Sequence, residues 1–196
     1  MLVVGIDLAG VEHKNTGFCF FDGKEVEVKI LHTDREILDE VRRHKPEVVA
    51  IDAPLALPKG RKSLEENNGI HLRECDRELL KMKIKFFPIT LGPMRKLTER
   101  GIRLKSILEK EGNDVIETYP GAAQDLLKIP RKQVSLKKLS MSLRGFGFKL
   151  REGMDGDELD AVTCALVGKF YLENNFLALG SEEEVLMILP GSRKHI

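Results

Sequence analysis

Five acidic residues in this 196-residue chain stand at the ends of apolar runs or within them. Asp7 closes LVVGID, Asp52 closes VVAID, Glu117 lies in DVIETYP, and Asp157 and Asp160 open DELDAVTCAL. Taken singly, an Asp at a strand end reads as a turn or cap residue. As a set they suit a different chemistry. If the strands ending at Asp7 and Asp52 are neighbours, the two carboxylates share one sheet end and repel unless a divalent cation neutralises them. Hard oxygen donors suit magnesium. Asp157 and Asp160, three apart, share a helix face with Ala161 and Cys164, whose small side chains let that face approach a sheet closely. Capping accounts for Asp157 but leaves Asp160, one turn inside the helix, without a reason.

A second group is cationic. Arg73 and Arg77 stand four apart on an expected helix, a spacing at which two guanidinium groups can meet one phosphate. Intrahelical bridges to Glu74 or Asp76 are the competing reading. His71 lies close by and could transfer protons, although a lone His is more often structural. Gly10 and the polar VEHKNTG loop offer either a phosphate contact or a plain hairpin turn.

These residues need elements to position them. Three short strands open the chain, 2–8, 16–22 and 25–31, with Asp22-Gly23 as a turn, and they read as an antiparallel meander. A helix follows, capped by Thr33 or Asp34, with Ile37, Leu38 and Val41 on one face. EVVAID then reads as a buried strand, parallel to the first through a right-handed crossover. Residues 53–112 break the rhythm with two basic helical stretches, RECDRELLKMK and MRKLTERGIRLKSILEKEG, and read as an insertion. DVIETYP is a further strand, 122–127 and 135–144 are short helices, and a long helix starting near Asp157 places Leu159, Val162, Leu166 and Phe170 on one stripe. EVLMILP, 184–190, is expected as a final edge strand. The expected fold is α/β: a mixed sheet with flanking helices, in one domain over 1–196.

The net charge of +1 hides opposite blocks: residues 59–105 carry +7, 128–151 carry +8, and 152–184 carry −8. Basic and acidic blocks that converge make a carboxylate site rimmed by cations, suited to a polyanion. Cys19, Cys75 and Cys164 are isolated, with neither a CxxC pair nor a disulfide framework, which argues against zinc. No apolar run approaches 18 residues and the N-terminus lacks a charged leader, so a cytoplasmic protein away from membranes is expected.

The motifs VVGIDLAG, VVAIDAPLALP, RECDREL, VIETYP and GDELDAVTCAL together resemble the ribonuclease H-like superfamily, and within it the predicted nucleases labelled domain of unknown function 429. The resemblance spans nearly the whole chain, and the final helix with acids three apart looks similar to the Holliday-junction resolvase branch. It implies nucleic acid as partner and hydrolysis of phosphodiester bonds in DNA or RNA with two divalent ions, Mg or Mn. Asp7 would bridge the ions, Asp52 and Asp160 would complete their shell, and Asp157 would be a ligand or proton relay. Glu117, as an outer-shell group, fits the pattern least. Two other classes compete: a non-catalytic nucleic-acid-binding protein of the same fold, and an actin-like, kinase-type ATP-binding domain. The last normally needs two such domains, and no GxxxxGK[ST] or GxGxxG loop occurs here.

Overall fold

Alternating β-branched and aromatic residues build the N-terminal meander, β1 (Val3–Asp7), β2 (Thr16–Phe21) and β3 (Val26–Leu31). In the computed structural model, which describes residues 1–191, β1 and β2 pair antiparallel, as do β2 and β3. Helix α1 (Asp34–His44) starts at a capping box in which Thr33 and Glu36 exchange side-chain and backbone hydrogen bonds. It leads into β4 (Val48–Asp52), which lies parallel to β1 as expected. Beyond β4 the sheet continues through β5 (Val115–Thr118), β7 (Met187–Pro190) and β6 (Phe176–Leu179). The seven strands run in the order β3-β2-β1-β4-β5-β7-β6.

EVLMILP therefore holds a strand, but not an edge strand. β7 pairs with β5 on one side and β6 on the other. Two apolar residues at its centre, Ile188 and Leu189, are buried, which an interior strand covered on both faces requires. The edge belongs to β6, whose Leu177 and Ala178 are exposed.

No strand falls within residues 53–112, which carry α2 (Glu74–Lys81) and α3 (Gly92–Lys110). Leu104 and Leu108 of α3 join Ile37 and Val41 of α1 on one face of the sheet. On the other face lies α6 (Gly156–Leu172), with α4 (Pro120–Leu126) and α5 (Leu136–Gly145) packed against it. Sandwiched in this way, α6 is buried from Glu158 through Gly168, all round rather than along the expected single stripe. Its approach to the sheet is set by glycines in the strands. A Cβ on Gly5 would stand 2.2 Å from the Ala161 carbonyl oxygen, and one on Gly17 would stand 2.1 Å from that of Asp157. Either contact is far inside van der Waals distance, so only glycine lets the helix bring its acidic N-terminal turns down onto β1 and β2.

All three cysteines are buried and unpaired, and burial pushes their thiols up. No helix among the described residues is long and apolar enough to cross a membrane.

Candidate functional site

In the parallel ladder Asp7 is the direct partner of Asp52, and Asp52 that of Thr118, so three polar residues stand abreast at the C-terminal ends of β1, β4 and β5. This edge of an open α/β sheet is where ligands usually bind, because the strand ends and the loops leaving them form a crevice. Helix α6 supplies the rest. Its N-cap is Asp155, whose side chain accepts the backbone N–H groups of Asp157 and Glu158. With capping done by Asp155, Asp157 turns its carboxylate elsewhere.

That carboxylate meets Lys132. The ammonium lies 2.8 Å from Asp160, 3.2 Å from Asp157 and 3.4 Å from Asp7. Lys132 is one of eight cations in the 128–151 block, and no local signal separates it from the other seven. Gln124 of α4, buried, donates to Asp160 Oδ1 at 2.8 Å and lies 3.1 Å from Thr163 Oγ1, which fixes the rotamer of Asp160.

One ammonium does not neutralise this set. Asp7 is raised to about 7, first by burial and then by the charges of Asp160 and Asp157, with Lys132 pulling the other way. Burial, then the charges of Asp7 and Asp160, lift Asp52 well above the usual carboxylate range. Lys132 itself is held protonated, its partly buried ammonium stabilised mainly by Asp7 and Asp160. Hard oxygen donors that one ammonium leaves under-neutralised are of the type a divalent cation takes, although no three of these carboxylates bring ligand atoms within 4.8 Å of one another in the metal-free protein.

Glu117 is placed differently. It is almost wholly buried, and Arg73 grips both its oxygens at 2.6 Å, while Oε2 also accepts the Leu55 backbone N–H at 2.7 Å. Its charge is matched, and its work is to pin the loop that leaves β4 just after Asp52. The expected Arg73 and Arg77 pair does not exist as a pair: Arg73 is 1% exposed at the N-terminus of α2 and committed to Glu117, while Arg77 faces solvent. Burial of a guanidinium demands a carboxylate partner, and Glu117 on β5 supplies it. The alternative bridge to Asp76 exists as a weaker contact at 3.5 Å. His71 is exposed, with its Nδ1 3.1 Å from Thr90 Oγ1, and is not among the residues gathered around Lys132.

The basic block 59–105 is likewise partly internal. Arg61 donates to the carbonyls of Ser63, Leu64, Glu66 and Ile70, and Arg100 to Asp34 and the carbonyls of Ala9 and His32. Among the described residues, the tight group of metal-type ligand atoms, within 4.8 Å of one another, lies at a distance from these strand ends: Glu27, Glu40 and His44. Lys29 bridges those two glutamates at 2.6 and 2.9 Å, and Arg43 at 2.6 and 2.8 Å. Cations already fill that cluster.

No curated protein matches the sequence. Among solved structures, the chain is similar to T. thermophilus RuvC in complex with Holliday junction substrate, with a TM-score of 0.56 and 16% identity over 89% of this chain and 96% of that one. A second Thermus thermophilus RuvC structure matches with a TM-score of 0.48 and 16% identity, over 96% of this chain and 100% of that one. The first likeness shows the fold, an α/β ribonuclease H-like sheet. The family model described as "Protein of unknown function (DUF429)" matches residues 5–184, and the chain belongs to that family.

Proposed function

We propose that this protein is a divalent-metal-dependent nuclease that hydrolyses phosphodiester bonds of DNA or RNA, built as one ribonuclease H-like domain with residues 53–112 as a helical insertion. The observation that carries the reading is the ladder pairing of Asp7 with Asp52, beside an α6 that brings Asp157 and Asp160 to Lys132. A nucleic-acid partner is supported by the fold neighbour, whose structure contains a Holliday junction.

Asp7, Asp52, Asp157 and Asp160 would hold two magnesium or manganese ions. The ions, when bound, supply Lewis-acid neutralisation of the charge that develops on the phosphoryl and leaving oxygens. The chain's own residues do the positioning. Gln124 holds Asp160 in one rotamer, and Asp155 keeps Asp157 free by capping the helix in its place. Glu117 and Arg73 tether Leu55 and so fix the strand end that carries Asp52. Lys132 gathers three carboxylates in the metal-free protein and offers its ammonium to a phosphate oxygen.

The test is a nuclease panel. Purified protein with Mg²⁺ or Mn²⁺ is incubated with single-stranded, duplex, branched and hybrid substrates, with EDTA and Asp7→Asn controls. Cleavage of at least one substrate, lost in both controls, is the expected result. A metal-independent gel shift with no cleavage would establish the non-catalytic binder instead.

A further inference from the structure

The carboxylate edge opens into a cavity of about 270 Å³ that the proposed chemistry does not use. Asp52, Asp160, Lys132 and Thr118 line its polar end. Its apolar lining comes largely from the 53–112 segment, Phe86, Phe87, Ile89, Met94 and Leu97, with Tyr119 from just after β5. Two aromatic features of that wall are built for contact. Tyr119 is held rigid, its hydroxyl donating to the Lys85 carbonyl at 2.8 Å and its ring lying 5.8 Å from the Arg131 guanidinium carbon. Phe87 is 71% exposed at the rim, where its ring is open to a flat partner.

The wall also holds unspent hydrogen-bonding capacity. Arg73 and Thr118, each 1% exposed, both line the cavity, and Arg73 Nε and Thr118 Oγ1 have no partner among the described residues. Buried polar atoms are nearly always paired, so two orphans on residues that line one cavity are hydrogen-bonding capacity left over beside it. The volume lies near the lower bound of about 300 Å³ for small-ligand pockets, which suits one flat ring system.

We propose that this cavity receives a single unstacked nucleobase, belonging to the strand whose phosphodiester lies at the carboxylates. A nucleotide is the ligand whose chemistry matches both ends, with an anionic phosphate for Lys132 and bound cations and a flat aromatic base for Tyr119, Phe86 and Phe87. The inference rests on the nuclease reading and narrows it: the substrate is a strand with an unpaired nucleotide at the cut, since a base inside a duplex must first be extruded.

The experiment compares a labelled single-stranded oligonucleotide with a base-free, fully abasic strand of equal length, by fluorescence anisotropy in Ca²⁺. Wild type should prefer the base-bearing strand by about 5- to 150-fold, the range for one stacked base. Met94→Trp, which fills the cavity, and the Phe86→Ala, Phe87→Ala double variant, which strips its wall, should both bring that ratio close to one. Abasic affinity serves as the internal folding control and should stay unchanged. Equal wild-type affinity for the two strands overturns the pocket while leaving the nuclease reading intact, because backbone binding and cleavage remain. Binding of neither strand also overturns the pocket, while the nuclease reading is then decided by the duplex, branched and hybrid substrates of the panel. Adenosine monophosphate is the third arm: if it binds and the oligonucleotide does not, the occupant is a free nucleotide and the proposal for a polymer fails.

Discussion

Replacing Asp7 by Asn should stabilise the metal-free protein, the opposite of what removing a buried, bonded polar group normally does. Asp7 is raised from the ordinary 3.8 to about 7, chiefly by burial, with the neighbouring Asp160 and Asp157 charges adding to it. A carboxyl whose folded value is raised contributes stability below its unfolded value and loses it as pH climbs through the folded one. The window thus runs from about pH 4 to about pH 7, and the displacement corresponds to about 4 kcal/mol at its upper end. Asn, neutral at every pH, escapes that loss. At pH 4 the two proteins should melt alike. By pH 8 Asp7→Asn should be the more stable by up to about 4 kcal/mol, which in a chain of this size raises the melting temperature by roughly 10 °C. Manganese should act in the reverse sense: at a hundred times its dissociation constant it stabilises wild type by about 2.7 kcal/mol, and the variant by less. The assay is thermal melting of both proteins from pH 4.5 to 9, in EDTA and in Mn²⁺. Parallel pH profiles, or equal metal shifts, would refute the argument that Asp7 is an under-neutralised ligand.

Other perturbations read other parts of the site. Lys132→Ala removes the ammonium from three carboxylates, so the metal-free protein should lose stability at pH 8 while the Mn²⁺-induced shift in melting temperature grows. Arg73→Met strands a buried Glu117 and should cost about 3–5 kcal/mol in urea denaturation, most of it recovered in Arg73→Met, Glu117→Met, where Asp76 loses only its weaker contact. Gly5→Ala drives a methyl into the α6 backbone and should cost about 3 kcal/mol or more, with the metal shift lost because Asp160 is displaced from β1; an unchanged midpoint would mean that the helix has room to spare. Binding of single strands should weaken with salt at a log–log slope of about −0.7 per phosphate contact, and Lys132→Ala, which removes the ammonium offered to a phosphate, should flatten it.

Local pattern was sufficient for much of the framework. Alternation placed the meander, the apolar run VVAID placed a strand parallel to β1, and the small residues Ala161 and Cys164 marked the helix face that closes on the sheet. The acids of that face were legible because a carboxylate one turn inside an apolar helix has no local purpose. Register then followed from topology: two parallel strands that each end in Asp bring those residues abreast. What local pattern does not contain is which distant charge answers which. Lys132 is 125 positions from Asp7, and nothing in its immediate sequence distinguishes it from its basic neighbours. Arg73 reads as a phosphate-facing helix residue by spacing, yet it lies buried against Glu117, 44 positions on. Likewise, β7 reads as an edge from its place near the chain's end, although β6 folds back outside it. Periodicity reports only how a segment divides between core and solvent. Ion pairing falls off with distance in space and is decided once the strands have chosen their order, so the carboxylates were visible in the sequence and the cation among them only in the folded chain.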